Sequence, residues 1–168
     1  MEQVNPELQL VCDFVNTLDV ESGTDELDAW LRARGLWAPR AGADELAAAR
    51  SVREALRDLM RANNGCEADP EASAAVLDGA AQRLGVEVRF GAGAVRLDAP
   101  PGGIGPVLAA AGQAMVDGSW QRLKACRADT CRWAFVDSAR NRSRQWCSMQ
   151  VCGNREKARA FRERRRGA

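Results

Sequence analysis

Four of the six cysteines in this 168-residue chain fall at Cys126, Cys131, Cys147 and Cys152, giving the spacing C-x4-C-x15-C-x4-C. Two close pairs separated by a longer loop form the layout of a tetrahedral site in which each pair supplies two thiolates, and zinc is the metal that suits it. One zinc per chain is expected. Four thiolates fill the coordination sphere, so the site is structural and keeps no position open for catalytic water. The surrounding segment has little apolar content, and metal binding supplies folding free energy that its own core cannot. The alternative reading of the same four residues is two disulfides or four free thiols. Cys12 and Cys66 stand alone and read as ordinary thiols. The chain has no histidine, which removes Ser-His-Asp and Cys-His catalysis and any His-ligated metal.

The cysteines sit in a basic setting that the net charge of +1 conceals. Residues 1–119 carry 10 basic against 19 acidic side chains, a balance of −9. Residues 120–168 carry 14 against 4, a balance of +10. An asymmetry this large suggests that the second segment meets a polyanion. Two basic elements stand out. Arg140, Arg142 and Arg144 recur at every second position between the cysteine pairs. After Cys152, a run of strong helix formers starts at Asn154 and places Arg155, Arg159 and Arg162 on one face, with Lys157 in the same helix. These eight residues, Asn154 included, are the expected DNA contacts. Arg155, in the first turn, is the candidate base reader, and the other arginines are candidate phosphate contacts. Asn154 reads equally as a helix N-cap, and the helix itself also fits a solvated charged end.

The residues then carry a resemblance. Cys126, Cys131-Arg132-Trp133-Ala134-Phe135-Val136-Asp137, Ser138-Ala139-Arg140-Asn141-Arg142-Ser143-Arg144-Gln145-Trp146-Cys147 and Cys152-Gly153-Asn154-Arg155 together resemble the CGNR zinc finger. Upstream, Asp13-Phe14-Val15-Asn16-Thr17 and the stretch from Trp30 to Leu36 resemble the helical (ABATE-type) domain that precedes this finger in bacterial proteins described as putative stress-induced transcription regulators. The resemblance implies that the four cysteines are the zinc ligands and that the protein acts in regulation at DNA.

The elements that must position these residues are mostly helical. Leu8, Val11, Val15 and Leu18 share a face over Pro6 to Leu18, with Phe14 beside them. Thr24 is placed to cap a second helix holding Leu27, Trp30 and Leu31, which stops at Gly35. Pro39 to Gly42 reads as a linker. A third helix is expected from Asp44 to Ala62 and an Ala-rich fourth over residues 71–84. Val86, Val88 and Phe90 then alternate with polar residues, and Val95 and Leu97 follow a Gly91-Ala92-Gly93 turn, which is a β-hairpin. A fifth helix carries Ile104, Val107, Leu108, Ala111, Met115 and Val116. Trp133 to Asp137 is expected as a strand packing the small core of the finger, with Trp133 and Trp146 as core residues. Gly153 is expected to turn backbone N–H groups towards sulfur.

The expected fold class is therefore mainly α with a small β-hairpin. Residues 1–119 form an acidic helical domain for ligand sensing or self-association, and residues 120–168 form the zinc finger with its basic C-terminal helix. The expected function is a zinc-containing bacterial DNA-binding transcription regulator and not an enzyme. Candidate partners are duplex DNA, a small molecule in the helical domain and a second copy of the chain. The alternatives are an RNA- or protein-binding zinc module, or an enzyme using Asp13, Asn16, Asp19, Arg53 and Arg57. The N-terminus lacks a basic start and an apolar signal core, and no apolar run reaches the ~20 residues of a membrane span, so a cytoplasmic location is expected.

Overall fold

A computed structural model describes residues 5–37 and 42–166. Most of the expected linker at Pro39 to Gly42 lies outside the described residues. Among those described are six α-helices: α1 Pro6–Val15, α2 Leu27–Ala33, α3 Ala43–Asn63, α4 Pro70–Arg83, α5 Gly105–Val116 and α6 Asn154–Arg166. Three two-stranded antiparallel ladders accompany them: β1 Leu18–Asp19 with β2 Thr24–Asp25, β3 Glu87–Phe90 with β4 Val95–Asp98, and β5 Leu123–Ala125 with β6 Ala134–Val136. The chain is thus mainly α, but with three small hairpins in place of one.

The helices begin where local chemistry satisfies their free N–H groups. Asn5 Oδ1 accepts from the Glu7 N–H at the start of α1, and Asp69 Oδ1 accepts from the Ala72 N–H at the start of α4, each with Pro in the first turn. Helix α2 differs from expectation. Thr24 is not its cap; Thr24 and Asp25 pair with Asp19 and Leu18, and the helix starts after Glu26 without a side-chain cap. The first helix likewise ends at Val15, because Leu18 is taken into that ladder.

The long α3 lies between α4, β5 and α1, and α1 also packs on α5 and β6. Their shared core is built on Val11, Phe14, Val15, Leu27, Leu31, Val52, Leu56, Met60 and Val107, all essentially inaccessible. Leu123 and Ala125 of β5 and Ala134 of β6 belong to this same core. The strand from Ala134 to Val136 therefore packs on the helical core and not on a core private to the finger. A smaller apolar cluster surrounds the cysteines, formed by Ala128 and Trp146 with the four sulfur-bearing residues.

Candidate metal centre and basic surface

The β5–β6 hairpin delivers the first pair of cysteines. Cys126 directly follows β5, and its N–H extends the ladder by donating to Trp133 O at 2.9 Å. The chain then turns tightly, with Cys131 and Arg132 N–H both donating to Ala128 O, and Arg132 takes the left-handed conformation at φ +52°. Of the second pair, Cys147 lies just before a π-turn, Met149–Gly153, and Cys152 lies within it; the turn runs directly into α6. Ser148 caps that turn by accepting from the Val151 N–H at 3.3 Å. Asn154 is therefore not a helix N-cap; its side chain donates to Gln150 O. Gly153 differs as well. Its N–H donates to Ser148 O, and Met149 and Trp146 crowd the place where a Cβ would stand, so a side chain there would have to displace the end of Met149.

The four cysteine Sγ atoms lie within 4.8 Å of one another. The separations are 3.6 Å from Cys131 to Cys147 and 3.7 Å from Cys147 to Cys152. A tetrahedron with Zn–S bonds of about 2.3 Å has S–S edges of about 3.8 Å, so the donor set fits zinc in both type and spacing. All four are free of disulfides. Cys126 and Cys152 are buried and the other two half-buried. The Cys126 thiol is drawn down to about 5, chiefly by the hydrogen bond from the Cys131 thiol, with burial opposing, while donating that bond pushes Cys131 up. The cluster thus already favours a thiolate at Cys126.

The helical part of the chain holds this centre by its backbone. Asn64, at the end of α3, donates through Nδ2 to Ala125 O and to Gln145 O, each at 2.8 Å, and so bridges the two cysteine-bearing segments. Asn63 donates through Nδ2 to Trp120 O and Leu123 O, which lie on the approach to Cys126. Asn16, beyond α1, exchanges two hydrogen bonds with the main chain of Ala134, at 2.7 and 2.9 Å. Arg57 donates to Arg132 O, Val15 O and Leu18 O, and burial pulls its guanidinium down from its ordinary value. Arg53 is bound to Asp25, Glu54 and Thr17. The polar residues set aside as a candidate enzyme site thus make structural bonds. In the sequence, Asn63-Asn64-Gly65 signalled only the end of a helix; nothing local marked the asparagines as grips on residues far along the chain.

The basic residues divide by what they touch. Arg144 is exposed but engaged: its guanidinium lies over the Phe135 ring at 4.7 Å and donates to Trp146 O and Cys147 O. Arg142, at φ +50°, reaches Gln121 at 2.9 Å. Arg155 pairs with Glu21 in the β1–β2 turn at 2.7 Å, and Arg159 pairs with Glu156 at 2.6 Å. Among the described residues, Arg140, Lys157, Arg162 and Arg164 to Arg166 have no carboxylate within ion-pair distance. Helix α6 has no buried residue; it projects from the cysteine cluster. At about 1.5 Å per residue, its 13 residues extend roughly 20 Å. Trp146 packs against the cysteines as expected, whereas Trp133 is 39% exposed.

Two family descriptions match the chain. Residues 122–165 match the CGNR zinc finger. Residues 8–119 match ABATE, whose description is "Putative stress-induced transcription regulator". No curated protein matches. Among the described residues, no helix is long and apolar enough to cross a membrane.

Proposed function

Because the chain belongs to the ABATE family of "Putative stress-induced transcription regulator" proteins and carries a CGNR zinc finger, we propose that it is a zinc-containing regulator that binds duplex DNA through its finger and α6. One observation carries the reading: α6, with no buried residue, stands beside a cysteine cluster that fits zinc and carries Lys157, Arg162 and Arg164 to Arg166 with no carboxylate in ion-pair distance. A bare basic helix of this length suits the major groove, which admits an α-helix. Zinc held by Cys126, Cys131, Cys147 and Cys152 supplies folding energy to the knuckle from which α6 emerges.

Within that surface, Arg140, Lys157, Arg162 and, after release from Gln121, Arg142 reach phosphates. Arg155 and Arg159 must first leave Glu21 and Glu156. Arg155 remains the candidate base reader, since first-turn side chains reach base edges. Asn154 and Arg144 shape the finger and act on DNA only through it. The acidic helical part, with a balance of −9 over residues 1–119, is a poor phosphate surface. It serves to hold the finger and to sense a ligand: a cleft of about 490 Å³ between α2, α3, α4 and the 100–104 loop is lined by Leu31, Trp37, Val52, Leu84 and Ile104, which suits an apolar molecule. Neither family is described as an enzyme, and the chain's own polar cluster is occupied by structural bonds.

Half-exposed Trp133 favours a second reading, in which an unpaired base stacks in the groove of about 480 Å³ that it lines with Trp30 and Phe135. Competition for the zinc-loaded chain between duplex DNA, single-stranded DNA and RNA separates the two. The duplex should win. A stronger competitor of either other kind, weakened by Trp133→Ala, would overturn the duplex reading in favour of the second.

A further inference from the structure

The β3–β4 hairpin offers an edge and a charge pattern that a second copy of the chain satisfies. At its turn, Gly91 N–H donates to Ala94 O at 2.9 Å. The antiparallel register pairs Glu87 with Asp98, Val88 with Leu97, Arg89 with Arg96 and Phe90 with Val95. Main-chain groups alternate along such a ladder, so those of Glu87 and Arg89 turn towards β4 and those of Val88 and Phe90 turn away. The same alternation turns Val95 and Leu97 away from β3, and there α5 covers them: Leu97 N–H donates to Gln113 Oε1 at 2.9 Å, and Gln113 Nε2 donates to Val95 O at 3.4 Å. On the β3 side, no group among the described residues covers Val88 or Phe90.

From Val88 to Phe90 that edge carries neither a proline nor a covering element, although β3 is short and bears Glu87 and Arg89. Its apolar face is also uncovered: Val88 is 51% and Phe90 85% exposed. Leu97 of the same face sits on α5 at Gly112, where a Cβ would collide with it. Exposed Met115 and Val116 end that helix.

The sequence Val86-Glu87-Val88-Arg89-Phe90 reads apolar, acid, apolar, base, apolar. Reversed about Val88, acid exchanges with base and apolar stays apolar. An antiparallel copy centred there sets Val88 against the partner's Val88, Glu87 against the partner's Arg89, and Phe90 against the partner's Val86. Val88, whose main chain already points outward, becomes the hydrogen-bonded pair on the two-fold axis. The Val86 N–H is already bound to Ala81 O, so the main-chain pairing across the axis is centred on Val88. The ion pairs fall at non-hydrogen-bonded positions, where facing side chains are closest. Registers centred on Glu87 or Arg89 instead put like charges face to face.

We propose that the chain dimerises through β3, forming a four-stranded sheet in the order β4–β3–β3–β4 about a two-fold axis at Val88, with both α5 helices on one face. The inference does not depend on DNA binding, although it would present two fingers in opposed orientation. The test is sedimentation velocity of the full zinc-loaded chain and charge-reversal variants. Glu87→Arg alone and Arg89→Glu alone should each weaken self-association by about ten-fold or more, because each sets like charges together. Mixing the two single variants should restore the dimer, since the mixed pair regains both ion pairs. The double variant Glu87→Arg/Arg89→Glu should dimerise like the wild type, and it keeps the intrachain pair of residues 87 and 89 (2.8 Å), serving as the folded control. A wild-type chain that stays monomeric, whether its edge is taken by another protein's strand or by nothing, overturns the proposal. So do single variants that dimerise undiminished, or a mixture that associates no better than its parts.

Discussion

Lys124 Nζ donates to Asp137 Oδ2 at 2.8 Å, with side-chain exposures of 6% and 0%. The same ammonium donates to the carbonyls of Arg142 and Arg144. Asp137 in turn accepts the N–H groups of Ala139 and Arg144. Burial opposes the Asp137 charge, but Lys124 and these N–H groups hold its carboxyl below the ordinary range. One buried ion pair therefore fixes the shape of the arginine loop between the cysteine pairs.

Removing either partner leaves an unmatched buried charge, which typically costs ~3–5 kcal/mol. Lys124→Met and Asp137→Asn should each lower stability in denaturant titrations, the first by an amount in that range. The double variant should cost clearly less than the sum of the two, because the partners act together. Strict additivity would mean that the pair does not organise the loop.

Zinc removal should loosen more than the finger. Leu123, Ala125 and Ala134 lie in the helical core, and Asn64 ties α3 to both cysteine-bearing segments. Chelation should therefore reduce amide protection in α3 and α1 as well as around the cysteines, as read by hydrogen exchange. Asn64→Ala strands two carbonyls, at about 1–3 kcal/mol for each one left without water or a partner, and should lower the melting temperature of the zinc-loaded chain. Protection of α3 unchanged by chelation would show that the two parts fold independently.

Asp25 gives the acid limit. The hydrogen bond from Arg53, with help from the Leu27 N–H and Arg50, lowers its carboxyl from 3.8 to about 2. A carboxyl depressed in the folded state contributes stability that is fully present above its unfolded value, near pH 4, and lost as pH falls towards 2. Solvent screening leaves roughly 1–2 kcal/mol of that contribution. Asp25→Asn should remove it at neutral pH and flatten the stability profile between about pH 4 and 2. An unchanged acid limb in the variant would contradict the assignment.

The sequence made the metal centre legible because ligand chemistry is local: two Cys-x4-Cys pairs state both the donor type and the coordination number. The apolar stripe of α1 was legible for the same reason. Thr24 does not cap α2 because it pairs with Asp19 in the β1–β2 ladder, while Asp25, which pairs with Leu18 and binds Arg53, accepts the Leu27 N–H at the start of the helix. The finger's dependence on the helical core was hidden in long-range contacts, such as Asn16 with Ala134 across 118 residues. Charge counting located the basic surface but could not distinguish Arg144, spent on Phe135 and two carbonyls, from Arg140 and Arg162, which face no acid.

That distinction sets the most direct test. The affinity of the zinc-loaded chain for a duplex should be measured over a series of salt concentrations. If about four to six phosphates are contacted, log K should fall with log salt at a slope of roughly −4 to −5. Arg140→Ala and Arg162→Ala should each reduce that slope by about one and weaken all sequences alike. Arg144→Ala should instead destabilise the finger. A wild-type slope near zero, with the metal bound and the finger folded, would contradict the account.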